Sequence, residues 1–404
     1  MCLSANGQKR TFGLEISLIS IILTILLLLP TIHGVLISSF SVYSSGHVQC
    51  ISPLHTEGRY IKNSLNRTII LQGVNQAGFL DDANGWWNSE GGTIYSGLGG
   101  WNPDAVKYNL DGMKSWGCNV LRLLITVQWW TQNTDDYRQH IKNTITWAGE
   151  RGMYVLLVPW NVVGKGLQTA IPFPPYLTTE EEAIIPSEQA FVDFWVSVAN
   201  ELKSFPNVMF ELFNEPHGDD AARDDWFRVT QLCISAIRAT GTDQIIIAHW
   251  GYGIGVNLDF PTGGQKMDWV ELYPLNDPLG NLVYSFHNYR GDFHRTIPTR
   301  VNSWEYDDLK LALQTCLVDY VLNTLNKPVI CGEIGANMWE SSEGLTQELA
   351  YFNNSLTIYN EWGLSYIAWV WTVTAHMKHG LLQNALWLPP PNTAGETLIA
   401  LTAP

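Results

Sequence analysis

The feature that most constrains this chain is a repeat: eight short, continuously apolar runs separated by stretches with helical periodicity. The runs are Ile69–Asn75, Val120–Thr126, Tyr154–Trp160, Val208–Glu215, Gln244–Trp250, Leu282–Asn288, Pro328–Glu333 and Ser365–Trp371. A strand with one wet face alternates apolar and polar residues. Runs that stay apolar throughout read instead as parallel strands covered on both faces. Asn102-Pro103-Asp104 supplies an N-cap, a proline at the first helical position and an acidic first turn, and Gly117 closes that helix. Ser187 opens a helix with the stripe Phe191, Phe194, Trp195, Val198 and Leu202. Thr346 opens another, with Leu349, Phe352 and Leu356 on one face and Gly363 as its stop. Eight such units predict an α/β fold, a closed (β/α)8 TIM barrel rather than a doubly wound sheet, as a single catalytic domain over residues 50–404.

Two connections are longer than a barrel needs. Asp81–Gly100 is rich in Gly, Asn and Trp, and Val162–Pro186 is rich in Pro and Thr. Both follow strand ends, on the face where barrels build their sites, and read either as cleft walls or as surface insertions.

Ahead of the barrel, Lys9 and Arg10 precede the apolar run Ile16–Pro30 and a softer stretch to Phe40. A basic n-region and an apolar h-region make residues 1–40 a signal peptide, or an uncleaved N-terminal membrane anchor if the softer stretch extends the span. The expected location is extracellular, with or without a membrane tether. The 23 Lys+Arg against 38 Asp+Glu give a net charge of −15, which argues against nucleic acid or an anionic membrane surface as partner. Six cysteines are scattered singly with no C-x-x-C pair, so no zinc site is suggested. Cys118 and Cys331, beside strands, read as buried thiols.

Chemistry enters at two strand ends. In Phe210-Glu-Leu-Phe-Asn-Glu-Pro-His-Gly218 an apolar strand closes on Asn214, Glu215 and Pro216, and in Pro328-Val-Ile-Cys-Gly-Glu-Ile-Gly335 another closes on Glu333. These are the fourth and seventh runs, which face one another across the mouth of an eight-stranded barrel. Either glutamate alone is most simply a strand-end salt bridge. Together they form the pair that glycoside cleavage needs, one acid for the leaving oxygen and one carboxylate to attack the anomeric carbon or to activate water.

With these motifs, over roughly residues 60–375, the chain resembles glycoside hydrolase family 5, cellulase-like barrels with catalytic glutamates on strands four and seven. Gly73-Val-Asn75 looks like the first-strand G-x-N, Asn119-Val-Leu-Arg122 like the second-strand arginine segment, and Asn214-Glu215-Pro216 like the acid/base motif. His287-Asn-Tyr289 looks like the sixth-strand His-x-Tyr, Gly332-Glu333 like the nucleophile strand, and Trp371 or Trp369 like the eighth-strand tryptophan. The resemblance implies Glu215 as acid/base and Glu333 as nucleophile. Arg122 would hold Glu333 ionised and lower its pKa, Tyr289 would donate to the same carboxylate, Asn214 would bond a sugar 2-hydroxyl, and His287 would tune Glu215. Burial and repulsion from Glu333 would raise the Glu215 pKa. The chain departs from the family at the third strand, which commonly ends in His but here ends Val158-Pro-Trp160-Asn161.

The 18 Trp and 16 Tyr supply platforms for sugar rings as well as core. Trp160, Asn161, Trp250, Trp369 and Trp371 are the substrate-binding candidates, with Trp86, Trp87, Trp129, Trp130 and Trp339 as further stacking positions. His376 and His379 have metal-pair spacing but no third ligand, so no metal and no cofactor is expected. The resemblance thus implies a retaining endo-β-1,4-glucanase acting on polysaccharide or oligosaccharide, and with the N-terminal segment the expectation is a secreted monomer. A mannanase or an exo-acting β-glycosidase on the same fold is the near alternative. A barrel that binds carbohydrate without cleaving it is the distant one.

Overall fold

The computed structural model describes residues 51–76, 103–164, 169–251, 267–290, 304–374, 378–383 and 390–402. The N-terminal segment 1–40, the connection 81–100, and with them Trp86 and Trp87, lie outside these residues, as does His376. The chain opens with an antiparallel hairpin, β1 (Leu54–Glu57) and β2 (Tyr60–Asn63). Eight parallel strands follow: β3 (Gln72–Gln76), β4 (Val120–Thr126), β5 (Tyr154–Asn161), β6 (Val208–Glu211), β7 (Ile246–His249), β8 (Leu282–Asn288), β9 (Val329–Ile334) and β10 (Ser365–Ala368). They close in chain order, with β10 pairing both β9 and β3. This is the (β/α)8 barrel expected from the repeat, with helices between the strands.

Each strand buries both faces. On β4, Leu121, Leu123 and Ile125 pack outward with the helices, while Val120 and Leu124 pack with Tyr154, Leu156, Val158, Met209, Ile247, Val283 and Ile330 in the lumen. Gly73 allows β3 its place beside β4, since a Cβ there would lie 1.8 Å from the Val120 carbonyl oxygen. The hairpin, absent from the expected elements, stoppers the lumen at the strands' N-terminal ends. Leu54 and Ile61 join the lumen cluster, and Thr56 bonds Asn281 and the Gly280 carbonyl. Its four-residue strands fall below the length at which a sequence pattern stands out.

The helix over Glu188–Leu202 is capped by the Ser187 hydroxyl, which accepts from the Ala190 N–H. The helix expected from Thr346 begins earlier, at Ser342, where Ser341 accepts from the Gly344 N–H, and it ends at Gly363 with φ +63°. Among the described residues no helix is long and apolar enough to cross a membrane. Cys118, Cys233 and Cys331 are free, buried thiols, and burial pushes Cys118 up to about 12.

Candidate active site

At the C-terminal end of the lumen the apolar layers give way to a polar one, built from Asn75, Arg122, Glu211, His249, Ser285 and His287, all buried. The two candidate glutamates meet above it. The β6 ladder stops at Glu211 rather than running to Glu215, and the backbone N–H groups of Leu212 and Asn214 then bond the carbonyls of Ile247 and Pro159. Glu215 takes φ +46°, the left-handed region, which an L-residue before proline rarely adopts. Such a residue costs about 1–3 kcal/mol and persists only where its surroundings hold it. Here the Glu215 backbone N–H donates to His249 Nδ1 at 3.2 Å.

Glu333 is aimed by different means. On β9 Val329 and Cys331 face the helices, so strict alternation would send residue 333 the same way. Both neighbouring strands skip Gly332: β8 pairs Phe286 with Cys331 and then His287 with Glu333, and β10 pairs Tyr366 with Cys331 and then Ala368 with Ile334. This bulge turns Glu333 inward. Glycine at its centre leaves room for the β8 side chains, because a Cβ on Gly332 would lie 2.7 Å from Ser285 Oγ and 3.1 Å from His287 Nε2 and would force them to shift.

One guanidinium ties the layer together. Arg122 Nε donates to Glu211 Oε2 at 2.6 Å, Nη1 to Glu333 Oε1 and Asn75 Oδ1 at 2.8 Å each, and Nη2 to Asn214 Oδ1 at 2.8 Å. Asn75 in turn donates to the Gly332 carbonyl at 3.0 Å, fixing the bulge. The Tyr289 hydroxyl donates to Glu333 Oε2 at 2.8 Å. His287 Nδ1 lies 2.6 Å from Glu215 Oε1, a hydrogen bond whichever group carries the proton, and 3.5 Å from Glu333 Oε2.

Burial decides the titration behaviour. It raises Glu333 from the ordinary carboxylate value to about 7, against the opposing pull of Arg122 and Tyr289 and with a further push from Glu211. Arg122 does pull Glu333 down, as expected, but full desolvation outweighs one shared cation. Burial also depresses His287 and His249 well below their usual value, with Arg122 adding to both, so these imidazoles are neutral. His379, whose ring lies 5.0 Å from that of Tyr289, is pushed down to about 3 by burial and by Lys378.

The structure thus gathers Arg122, Asn214, Glu215, His287, Tyr289 and Glu333 at one place. Of the tryptophans, Trp369 and half-buried Trp160 pack with Tyr289 in the lumen cluster at the mouth, and Asn161 ends β5 nearby, 5% exposed. Two substrate-binding candidates are corrected. Trp371 is 1% exposed, packed edge-on against Trp116, with its indole N–H donating to Asn109. Trp250 is 2% exposed and packs outward on Phe227. Neither offers a ring face to a ligand, and the same holds for Trp129 and Trp130 in the core. Trp339 does offer one: it is 61% exposed, and its indole N–H is held by the Thr374 carbonyl.

Glu211 escaped the sequence reading. Its signal was a charge inside an otherwise apolar strand, two residues before Phe213 and next to the Asn214-Glu215-Pro216 motif. Two groups of three possible metal donors lie within 4.8 Å of one another among the described residues: Glu215, His287 and Glu333, and Glu211, His249 and His287. Arg122 already occupies Glu211 and Glu333, so a cation at either group would sit beside a fixed positive charge.

A closed parallel barrel with two carboxyls meeting at the C-terminal ends of its fourth and seventh strands has the layout of a carboxyl-pair hydrolase. The family model for cellulase, glycosyl hydrolase family 5, matches residues 81–375, and the chain belongs to that family. It is 25% identical over 203 residues to an endoglucanase of Clostridium saccharobutylicum, a match covering 50% of this chain and 38% of that protein. It is 27% identical over 228 residues to endo-beta-1,4-glucanase A of Emericella nidulans, covering 54% and 59%. These matches therefore span less than two thirds of either relative. Among solved structures, an endocellulase of Pyrococcus horikoshii in complex with cellotetraose superposes with a TM-score of 0.65 at 19% identity, covering 88% of this chain and all of that one. At that identity the likeness shows the fold.

Proposed function

We propose that the chain is an endo-acting β-1,4-glucanase that cleaves with retention, with Glu333 as nucleophile and Glu215 as acid/base. The observation that carries this reading is the distance between the carboxyls, whose nearest oxygens lie within 4.8 Å. Retaining enzymes hold their carboxyls ~5 Å apart, whereas inverting enzymes leave ~6.5–9.5 Å for a water. Glu333 attacks the anomeric carbon as Glu215 passes its proton to the departing glycosidic oxygen. Glu215 then takes a proton from the water that releases the glycosyl group from Glu333. Arg122 and Tyr289 hold the attacking carboxylate, Asn214 bonds the 2-hydroxyl of the sugar at the site, and neutral His287 orients the Glu215 carboxyl through a hydrogen bond without adding charge beside it. Trp160, Trp369 and Trp339, with Asn161, form the sugar-binding surface.

A glucan substrate is supported by the two endoglucanase relatives and by the cellotetraose bound to the Pyrococcus protein. A mannan chain has support from a match at 26% identity to a Caldicellulosiruptor saccharolyticus protein described as beta-mannanase/endoglucanase A. We place the catalytic domain at residues 50–404 and read 1–40 as the export signal or anchor of an extracellular, monomeric enzyme. The test is reducing-end release from carboxymethyl cellulose, mixed-linkage glucan, glucomannan and xylan, with Glu215→Gln and Glu333→Gln beside the parent chain. Cleavage of glucan, lost in both variants, supports the reading. Cleavage of glucomannan alone selects the mannanase. Binding without cleavage of any polymer would replace the enzyme with a carbohydrate-binding barrel.

A further inference from the structure

The polar layer under the two catalytic glutamates contains a third carboxylate that the mechanism does not use. Glu211 is fully buried, as is Arg122, and the two meet at 2.6 Å through Arg122 Nε. Its second oxygen, Oε1, is buried without a hydrogen-bond partner, 3.7 Å from His249 Nδ1, which already accepts from the Glu215 backbone. A residue present only to fill the lumen would be more stable here as an amide or an apolar side chain, because a buried carboxylate with one bare oxygen is costly. The geometry gives the charge another use. The edge of the guanidinium that Glu211 grips sets the plane of the whole group, and that plane carries Nη1 to Glu333 and Nη2 to Asn214.

We propose that Glu211 is a positioning residue for the nucleophilic step: it shares Arg122 with Glu333, fixing the guanidinium plane and leaving Glu333 only part of one positive charge, so that the attacking carboxylate stays basic. The proposal rests on the reading of Glu333 as nucleophile. Among the described residues, the charged and titratable groups around Glu333 can be named. From β4 comes Arg122, from β6 and the segment after it Glu211 and Glu215, and from β8 and just beyond it His287 and Tyr289. β3 contributes neutral Asn75 and β7 contributes His249 behind Glu211, while on β9 itself the buried Cys331 thiol points to the helix side and donates to the Glu333 backbone carbonyl. His379 stands behind Tyr289. With the histidines neutral, the net balance at Glu333 is set by one cation and the neighbouring carboxyls. The Glu211 carboxylate accordingly adds its repulsion to the burial that raises Glu333.

The test is the pH dependence of kcat/KM for Glu211→Gln, which keeps an oxygen for Arg122 Nε but removes the charge. The acid limb is expected to move to lower pH by about one unit, because Arg122 becomes a full counter-ion to Glu333. kcat on the plateau should fall about tenfold as the nucleophile loses basicity. An acid limb that stays in place or moves up overturns the proposal, even if activity drops, since a purely structural role predicts that result. Should the Gln variant not fold, Glu211→Asp withdraws the charge by one methylene and should shift the limb in the same direction by less. An unmoved limb in that variant also overturns the proposal. Glu333→Gln is assayed alongside. Activity retained there sinks the nucleophile assignment itself, whereas a dead Glu333→Gln with an unmoved Glu211→Gln limb sinks only the role of Glu211.

Discussion

Glu215 and Glu333 are the same residue type, with carboxyl oxygens within 4.8 Å, yet the fold delivers and surrounds them in opposite ways. Glu215 arrives on a left-handed backbone beyond the end of β6, and its carboxyl bonds a neutral imidazole. Glu333 arrives on a bulge inside β9, gripped by a permanent cation and a phenol. A carboxyl beside a neutral imidazole can gain or lose a proton at little electrostatic cost. A carboxyl fixed by a guanidinium and a hydroxyl donor is arranged as an anion. Splitting a pair by environment is how one residue type fills both an acid and a nucleophile role.

The comparison breaks most sharply under deletion of each carboxyl. Glu333→Ala should lose on the order of 10⁵-fold in kcat, and Glu215→Ala about 10²–10⁴-fold. Added azide separates the roles. With Glu215→Ala it replaces the activated water on the glycosyl-enzyme and should give a β-glycosyl azide. With Glu333→Ala it fills the vacated space and should give the α-anomer. The same anomer from both variants, read by proton NMR, would end the asymmetry.

Next in size is the cation. Arg122→Met leaves Glu211 and Glu333 buried without a counter-ion, and breaking such a group costs about 3–5 kcal/mol. Urea denaturation at pH 8, where both carboxyls are charged in the unfolded chain, should show that loss. The loss should shrink toward pH 5 as protonation relieves the folded state, since Glu333 is already raised to about 7 with Arg122 present. A loss that does not vary with pH would mean that Arg122 acts by packing alone.

The bulge is tested by Gly332→Ala. The added carbon would stand 2.7 Å from Ser285 Oγ and 3.1 Å from His287 Nε2, so the β8 side chains or Glu333 must move. A displacement near 1 Å at a catalytic group costs about 10²-fold in kcat. KM for a long glucan should change little, because the stacking rings lie elsewhere. A variant with full kcat would show that the bulge does not aim Glu333.

The sequence made the barrel legible because its signals are repeated. Eight apolar runs and their caps agree with one another, so an error at one strand end, such as carrying β6 on to Glu215, leaves the topology intact. Asn214, His287, Tyr289 and both glutamates could be picked out because each sits at or near a strand end in a motif, and Arg122 because it is a charge inside the apolar run of β4. The devices that orient them left weaker traces. The left-handed Glu215 is a backbone state with no side-chain signature, and the bulge was marked only by a glycine in a strand. Trp250 and Trp371 misled because residue type does not decide whether an indole just beyond a strand end meets the helices or the cleft: Trp369 joins the lumen, whereas Trp371, two residues on, packs on the helix side. The net titration of Glu333 escaped the sequence, since it depends on how far burial outweighs Arg122, which a strand-end motif does not show.

The smallest effect sharpens the comparison most, because it removes one hydrogen bond from one carboxyl and nothing from the other. Tyr289→Phe deletes the donor to Glu333 Oε2 and leaves Arg122 on Oε1. A donor to the ionised form favours it, so its loss raises a pKa that burial has already lifted to about 7. Attack requires the anion. As pH falls through that raised value Glu333 takes a proton and kcat/KM declines, so the acid limb of the variant should lie above that of the parent chain. A hydrogen bond to a charged group contributes about 1.5–3 kcal/mol, but solvent reaching the vacated position at the mouth returns part of it, which leaves a shift of about one unit. The alkaline limb, which reports Glu215, should hold still because the His287 contact is untouched. Limbs that move together would mean the two carboxyls titrate as one unit, and the division of roles between a guanidinium-bound and an imidazole-bound glutamate would have to be given up.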